Sequence, residues 1–305
     1  MSGAEGPWGQ RSNRPVDLSP EERVADIQSA LRSDGVPAAI RTRLTASRTG
    51  KLPWTATLTP AELMVARSHG LRPIAAVSAT CWLHYGWSWT EGHAQGWESA
   101  LRRLRAEAKA AGANAVLDVK MRTVMAIENS MDFTLIGTAV YVDGLPPSPD
   151  PIVATVPALE FVQLLEADVV PTGIAIGAQY EWLTDWRTNA LQMWGRNVEY
   201  QALSQFWQTI RQRAHAELRQ SASRQGNGVL AHINFGQLFE VEQENQPKQF
   251  LGRQIVIATT VDTPRGKRVP HDIRMVIDMH AGGTRLTGRE RHHESYAFTD
   301  EGGAI

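Results

Sequence analysis

The 305-residue chain has a single cysteine, Cys81, so no disulfide can form within it and a reducing compartment is expected. No window approaches the roughly 18 consecutive apolar residues of a membrane helix. The opening stretch, MSGAEGPWGQRSNRPVD, lacks the basic-then-apolar order of a secretory signal. A cytoplasmic protein without a membrane span is therefore expected. Charge of either sign is in balance, with 31 Lys and Arg against 32 Asp and Glu, which leaves no global field to attract nucleic acid. The densest basic spot, Arg265 to Arg268, reads as a solvated hairpin turn. The G-x-S-x-G, H-E-x-x-H, Walker and G-x-G-x-x-G motifs are absent. Glu91, Asp118, Glu128 and Asp132 are scattered, with no recurring pair for acid/base work, and His215 and His232 have no evident partners. No catalytic residue is assigned, and the chain is expected not to be an enzyme.

What the chain does have is self-similarity. TPAELMVARSHGLRPIAAVSAT (59–80) matches VPALEFVQLLEADVVPTGIAIGA (156–178), with Pro73 against Pro171. AEAKAAGANAVLDVK (106–120) matches LRQSASRQGNGVLAHIN (218–234), with Val116 and Leu117 against Val229 and Leu230. FTLIGTAVYV (133–142) matches RQIVIATTVDT (253–263). The offset rises from 98 to 113 to 121, which places the second copy's insertions between elements, where loops tolerate them.

Each copy reads as short helix, strand, long helix, strand, strand. The expected fold class is α+β, as two tandem β-α-β-β two-layer units. The first long helix is expected over about 95–111, with Trp97, Leu101, Leu104, Ala108 and Ala111 on one stripe at spacings of 4, 3, 4 and 3; Leu203, Trp207, Ile210, Ala214 and Leu218 form a like stripe at 4, 3, 4 and 4. Gly112 and Gly226 suit left-handed helix stops. Leu117, Val119 and Met121 alternate with Asp118, Lys120 and Arg122, a strand with one buried and one wet face. Residues 1–17 read as a disordered tail and 18–57 as a helical N-terminal segment. That segment opens on a Ser19/Glu22 capping box with Pro20, and Val24, Ile27, Ala30 and Leu31 share one face. The first repeat spans 58–143 and a Pro-rich linker 144–152. The second repeat spans 153–280, with an added strand at 272–280, and 281–305 is a flexible tail.

The Pro-plus-small-residue strand, the helix ending in GANAVLDVK and the closing FTLIGTAVYV together resemble the YbjQ family, also called the heavy-metal-binding domain family. Copy one carries the resemblance over 71–142. Copy two carries it more weakly, because GNGVLAHIN replaces the GANAV pattern and IATTV replaces IGTAV. The resemblance implies a small antiparallel sheet with a helix on it, similar to dodecin-like units. It also implies assembly into rings, typically pentamers, and it brings no established enzymatic reaction.

A soft metal wants three or four thiolate or imidazole donors. Copy one offers Cys81 and His84, with His93 nearby; copy two has Gln179 and Trp182 at the matching positions of the first pair. Residues three apart on a strand face opposite ways unless a bulge intervenes. A metal site on Cys81 and His84 would therefore have to gather donors from several subunits around an axis. His292, His293 and Glu294 form a second donor cluster in the tail. A divalent or heavy metal is the one cofactor these donors leave open.

Of 10 tryptophans, eight fall between the end of a first strand and its long helix. Trp97 and Trp207 lie on the helix stripes and read as core. Trp82, Trp87, Trp89, Trp182, Trp186 and Trp194 are the candidate interface or ligand-pocket residues. Each buried ring removes on the order of 150–250 Å² from water, and left bare together they would exceed the apolar patch a monomer tolerates. Either the connectors pack unit against unit, within and between chains, or they line a groove for a flat or apolar ligand. The expected function is a non-enzymatic, ring-forming homo-oligomeric scaffold or ligand-binding protein. The alternative is a heavy-metal-binding module with Cys81 and His84 at subunit contacts.

Overall fold

A computed structural model describes residues 18–33, 35–53, 55–84, 88–126, 130–144, 148–184, 201–241 and 249–263. The expectations for 1–17, 265–268, 272–280 and 281–305, and those for Trp87, Trp186, Trp194, His292, His293 and Glu294, lie outside the described residues.

Among the described residues there are six helices and two sheets, a mixed α+β structure. Helices α1 (Pro20–Arg32) and α2 (Ala38–Arg48) come first. The first half then runs α3 (Pro60–Ser68), β1 (Leu71–His84), α4 (Trp89–Ala111), β2 (Ala115–Ala126), β3 (Ser130–Val142). A short strand β4 (Ile152–Val153) leads into α5 (Ala158–Glu166), β5 (Val170–Thr184), α6 (Gln201–Ala222), β6 (Gly228–Val241) and β7 (Gln249–Asp262). The strand orders are β1-β3-β2-β4 and β5-β7-β6.

Local chemistry sets these boundaries. Ser19 and Thr59 each accept from the backbone N–H three residues on, while Glu22 and Glu62 reach back to the cap, and Pro20 and Pro60 occupy the first turn. Pro73 and Pro171 lie in β1 and β5, which end their sheets, and a register shift follows each proline. A proline cannot donate to a ladder, so an edge strand is where it fits. Gly112 has φ 76° and stops α4 in the left-handed region. Gly226 departs from expectation: its φ is not left-handed, and it is small because the Val261 carbonyl closes on it. Helix α1 departs as well. Ala30 is buried, but Val24, Ile27 and Leu31 are about half exposed, since among the described elements α2 is the main one packed against this helix and the contact is small.

Hydrogen bonds that the sequence comparison did not foresee recur in the two halves. Thr57 N–H donates to Thr138 Oγ1 at 2.8 Å and Thr155 N–H to Thr259 Oγ1 at 3.1 Å, with the hydroxyl pairs 2.9 and 2.8 Å apart. These pairs stand 98 and 121 positions apart in sequence, the offsets of the first and last matched stretches. Asn114 clasps the backbone N–H and C=O of Val142, and Asn227 clasps those of Thr263. Glu107 on α4 accepts from Ser78 N–H, and Glu217 on α6 accepts from Ala178 N–H, each at 3.1 Å. Those glutamates occupy amides on the outer edges of β1 and β5, which blunts both edges against further pairing. Burial raises the pKa of each above its ordinary value, and the strand N–H bond partly offsets that rise.

The halves do not meet symmetrically. Ala75, Val77, Ala79 and Cys81 of β1 and Phe133 and Leu135 of β3 face α4 in a core that also takes Ile174, Ala178, Ile255 and Ile257 from the second sheet. Helix α4 thus lies between its own sheet and the outer face of the other half's sheet. Helix α6 covers β5 and β7 from the opposite side, through Ala214, Leu218 and Ala222. Residues 152–156 run parallel to β2: Ile152 and Ala154 donate to Asn114 and Val116, and Asp118 and Val119 donate to Val156 and Ala154. The end of the expected linker is therefore a strand of the first sheet.

Candidate functional site

The most unusual chemistry sits where the halves join. Helix α4 starts at Trp89, six residues before the expected start, because Ser88 Oγ accepts from Glu91 N–H at 3.2 Å. Ser88-x-x-Glu91 is the readable signal; Gly92 and Gly96 obscure it. Trp89 is consequently a helix residue and not part of a connector. One turn on, His93 is fully buried. Its ring lies 5.8 Å from Trp97, 5.4 Å from Phe133 and 5.4 Å from Tyr180 of β5. Trp97 Nε1–H donates to His93 Nε2 at 3.0 Å. In the neutral ring the proton is then on Nδ1, which is buried without a hydrogen-bond partner among the described residues.

Burial first, and the Arg253 charge second, lower the His93 pKa to about 3. Arg253, on β7, is itself buried. Its guanidinium stands 4.8 Å over Phe235 and 5.5 Å over Phe239 and donates to Gln237 Oε1 at 2.6 Å. Arg253 Nε has no hydrogen-bond partner among the described residues. A neutral imidazole and a desolvated cation thus share an aromatic-walled joint. Such a histidine does not exchange protons near neutral pH, so it suits holding the halves together and does not suit acid/base catalysis.

The Cys81 and His84 pair is not brought together by the ladder. Cys81 is buried and pairs with Phe133, while His84 pairs with Ser130 at the strand end. No register shift separates them, so the two positions fall on opposite faces of β1. Among the described residues no group of three or more His, Cys, Asp or Glu could hold a metal ion.

The tryptophans divide. Trp97 is buried and Trp89 half-buried against the joint, 5.9 Å from Tyr180. Trp82 is 60% exposed and Trp182 47% exposed. Trp82 lies on the outer face of the first sheet, with Val124 and Ile136 also partly bare at 39% and 41%. By the 98-residue offset Trp82 corresponds to Tyr180, the residue that α4 covers in the other half. A shallow groove of about 360 Å³ beside α4 is lined by the charged Glu98, Arg102, Arg105, Lys109 and Asp150 together with Ala106 and Pro149.

Two signals could have revealed more of this from sequence. Arg103-x-x-x-Glu107 recurs as Arg213-x-x-x-Glu217, the helix pair that guards the strand edges. Pro53-x-x-Ala56-Thr57 recurs as Pro151-x-x-Ala154-Thr155, and that stretch carries the threonine pairs and the parallel strand.

No described helix is long and apolar enough to cross a membrane. No curated protein and no solved structure matches the chain. Residues 87–143 match the model of a family described as "Putative heavy-metal-binding", a stretch that takes in α4, β2 and β3 and contains His93, but neither Cys81 nor His84.

Proposed function

We propose that the chain is two copies of one YbjQ-like, dodecin-like module and acts as a non-enzymatic, self-associating scaffold or ligand-binding protein of the ring-forming type. The recurring element order, the shared strand orders and the offset-matched threonine and asparagine bonds support the tandem reading. One observation carries self-association. Among the described residues, the face equivalent to the one α4 covers on the second sheet is partly exposed on the first, at Trp82, Val124 and Ile136. Aromatics are enriched at interface centres, and bare apolar patches mark association sites. Sedimentation of the untagged chain over a wide concentration range tests this: assemblies heavier than the 33.7 kDa chain support it, and a strict monomer ends it.

A second reading, metal binding, is favoured by the family match over 87–143. Soft metals take imidazole and thiolate, and several subunits would have to contribute. Titration of the wild type against His93→Leu and against Cys81→Ser with His84→Ala separates the donors. Equal uptake by all three chains would exclude His93, Cys81 and His84 as ligands.

A further inference from the structure

We infer that the joint seen within the chain is repeated between chains. Residues 55–58 of one copy add as a parallel strand to the outer edge of β6 of a second copy, and α6 of that second copy covers the Trp82 face of the first. This names the surface used in the self-association proposed above, and it rests on that reading.

Within the chain, residues 152–156 lie along β2, with Val153 opposite Val116. The repeat offsets carry Val153 to Thr55 and Val116 to Val229. Thr55 is exposed, and residues 55–58 pair with no strand among the described residues. Strand β6 ends its sheet among the described residues, and Val229 is 41% exposed. The chain therefore uses one donor segment and one acceptor edge internally and, among the described residues, leaves the equivalent segment and edge without a strand partner, residues 55–58 being held by Thr57 on Thr138 and by Thr55 Oγ1, which accepts from Ala76 N–H. The helices repeat the pattern. Helix α4 packs on both sheets, whereas among the described elements α6 packs chiefly on β5 and β7, and the sheet face equivalent to the one α4 covers is the partly exposed face of Trp82, Val124 and Ile136.

The joint is head-to-tail and not two-fold. A two-fold joint would already have placed residues 55–58 on β6 and α6 on β1 within the chain. Head-to-tail joints propagate and close into rings when the rotation allows. A ring of such chains holds an even number of modules, so the five-module ring implied by the family resemblance is not open to a tandem chain. The between-chain joint is also more polar: Thr134 and Arg122 stand at the positions of Ile255 and Phe235. It is accordingly weaker and more dependent on concentration than the joint inside the chain.

Two full-length chains lacking Cys81 test this, one carrying Thr55→Cys and the other Val229→Cys, both at exposed positions. Each is first checked for wild-type circular dichroism and thermal unfolding. Under mild oxidation the mixture is expected to give a disulfide-linked pair of chains, and either chain alone at least about tenfold less, because strand partners lie within disulfide reach. Linked pairs from one chain alone would show a two-fold joint and overturn the inference. So would a chain carrying both cysteines that links only to itself at high dilution. A wild type that associates while the mixture stays unlinked removes this joint and leaves self-association standing; that outcome includes β6 being covered by the chain's own residues 264–305. A monomeric wild type removes both.

Discussion

The two long helices are nearly equal in length, 23 and 22 residues, yet they are covered differently. Helix α4 buries residues on two sides, His93 and Gly96 among them, because both sheets and helix α2 lie against it. Helix α6 buries a single line, Phe206, Ile210, Ala214, Leu218 and Ala222, because one sheet lies against it. Sequence similarity makes the halves look interchangeable. Their joint is asymmetric: the second half lends residues 152–156 to the first sheet, the first half lends α4 to the second sheet, and among the described residues the exchange is not repeated in the other direction.

The contact of helix and sheet offers the sharpest way to break the comparison. In the first half the small residue is on the helix, Gly96, and the ring on the strand, Phe133; in the second the ring is on the helix, Phe206, and the small residue on the strand, Gly252. A side chain at Gly96 would overlap the Phe133 ring, and one at Gly252 would meet Phe206 and Ile210. Gly96→Val and Gly252→Val are each expected to cost about 3 kcal/mol or more in urea unfolding. Shrinking the facing ring, Phe133→Leu or Phe206→Leu, should recover part of each loss, and strictly additive costs would contradict the pairing.

The next effect is acid sensitivity. His93 stays neutral in the folded chain down to a pKa of about 3, whereas the unfolded chain protonates near the ordinary 6.5. The folded pKa is depressed, so this stability is present above about pH 6.5 and is lost as pH falls toward 3. The loss should reach roughly 2 kcal/mol by pH 5. Helix α6 carries Leu203 at the matching position, so His93→Leu should flatten the curve over that window. An unchanged slope in denaturant melts at pH 7, 6 and 5 would show that His93 is not the group responsible.

A smaller effect separates the asparagine clasps. Asn114 is buried and Asn227 more open to solvent, although each holds two backbone groups. Asn114→Ala should cost about 2 kcal/mol and Asn227→Ala about half that, since water replaces the lost bonds only at the surface. Equal losses would mean that the two ends of the ladder are equally solvated.

Much of the fold is legible in the sequence because periodicity and caps report local structure. The capping boxes at Ser19 and Thr59 and the alternation after Leu117 each correspond to an element. The first long helix reads too short because Gly92 looks like a breaker, while Gly96, inside the expected span, admits the Phe133 ring. The site is less legible. In the sequence His93 is only a histidine near Cys81 and His84, and nothing singles out Arg253; their roles come from Tyr180, Phe235 and Phe239 laid against them. Both depend on contacts across the joint, far apart in sequence. Cys81 and His84 stand out by residue type alone, and the unbroken ladder between them separates their faces.

Native mass spectrometry of the untagged chain beside Trp82→Glu tests the central claim most directly. A wild type in discrete closed assemblies of whole chains, with the variant reduced to single chains of unchanged fold, is the predicted result. A wild type that stays at 33.7 kDa at every concentration, or a variant that assembles as the wild type does, would contradict it.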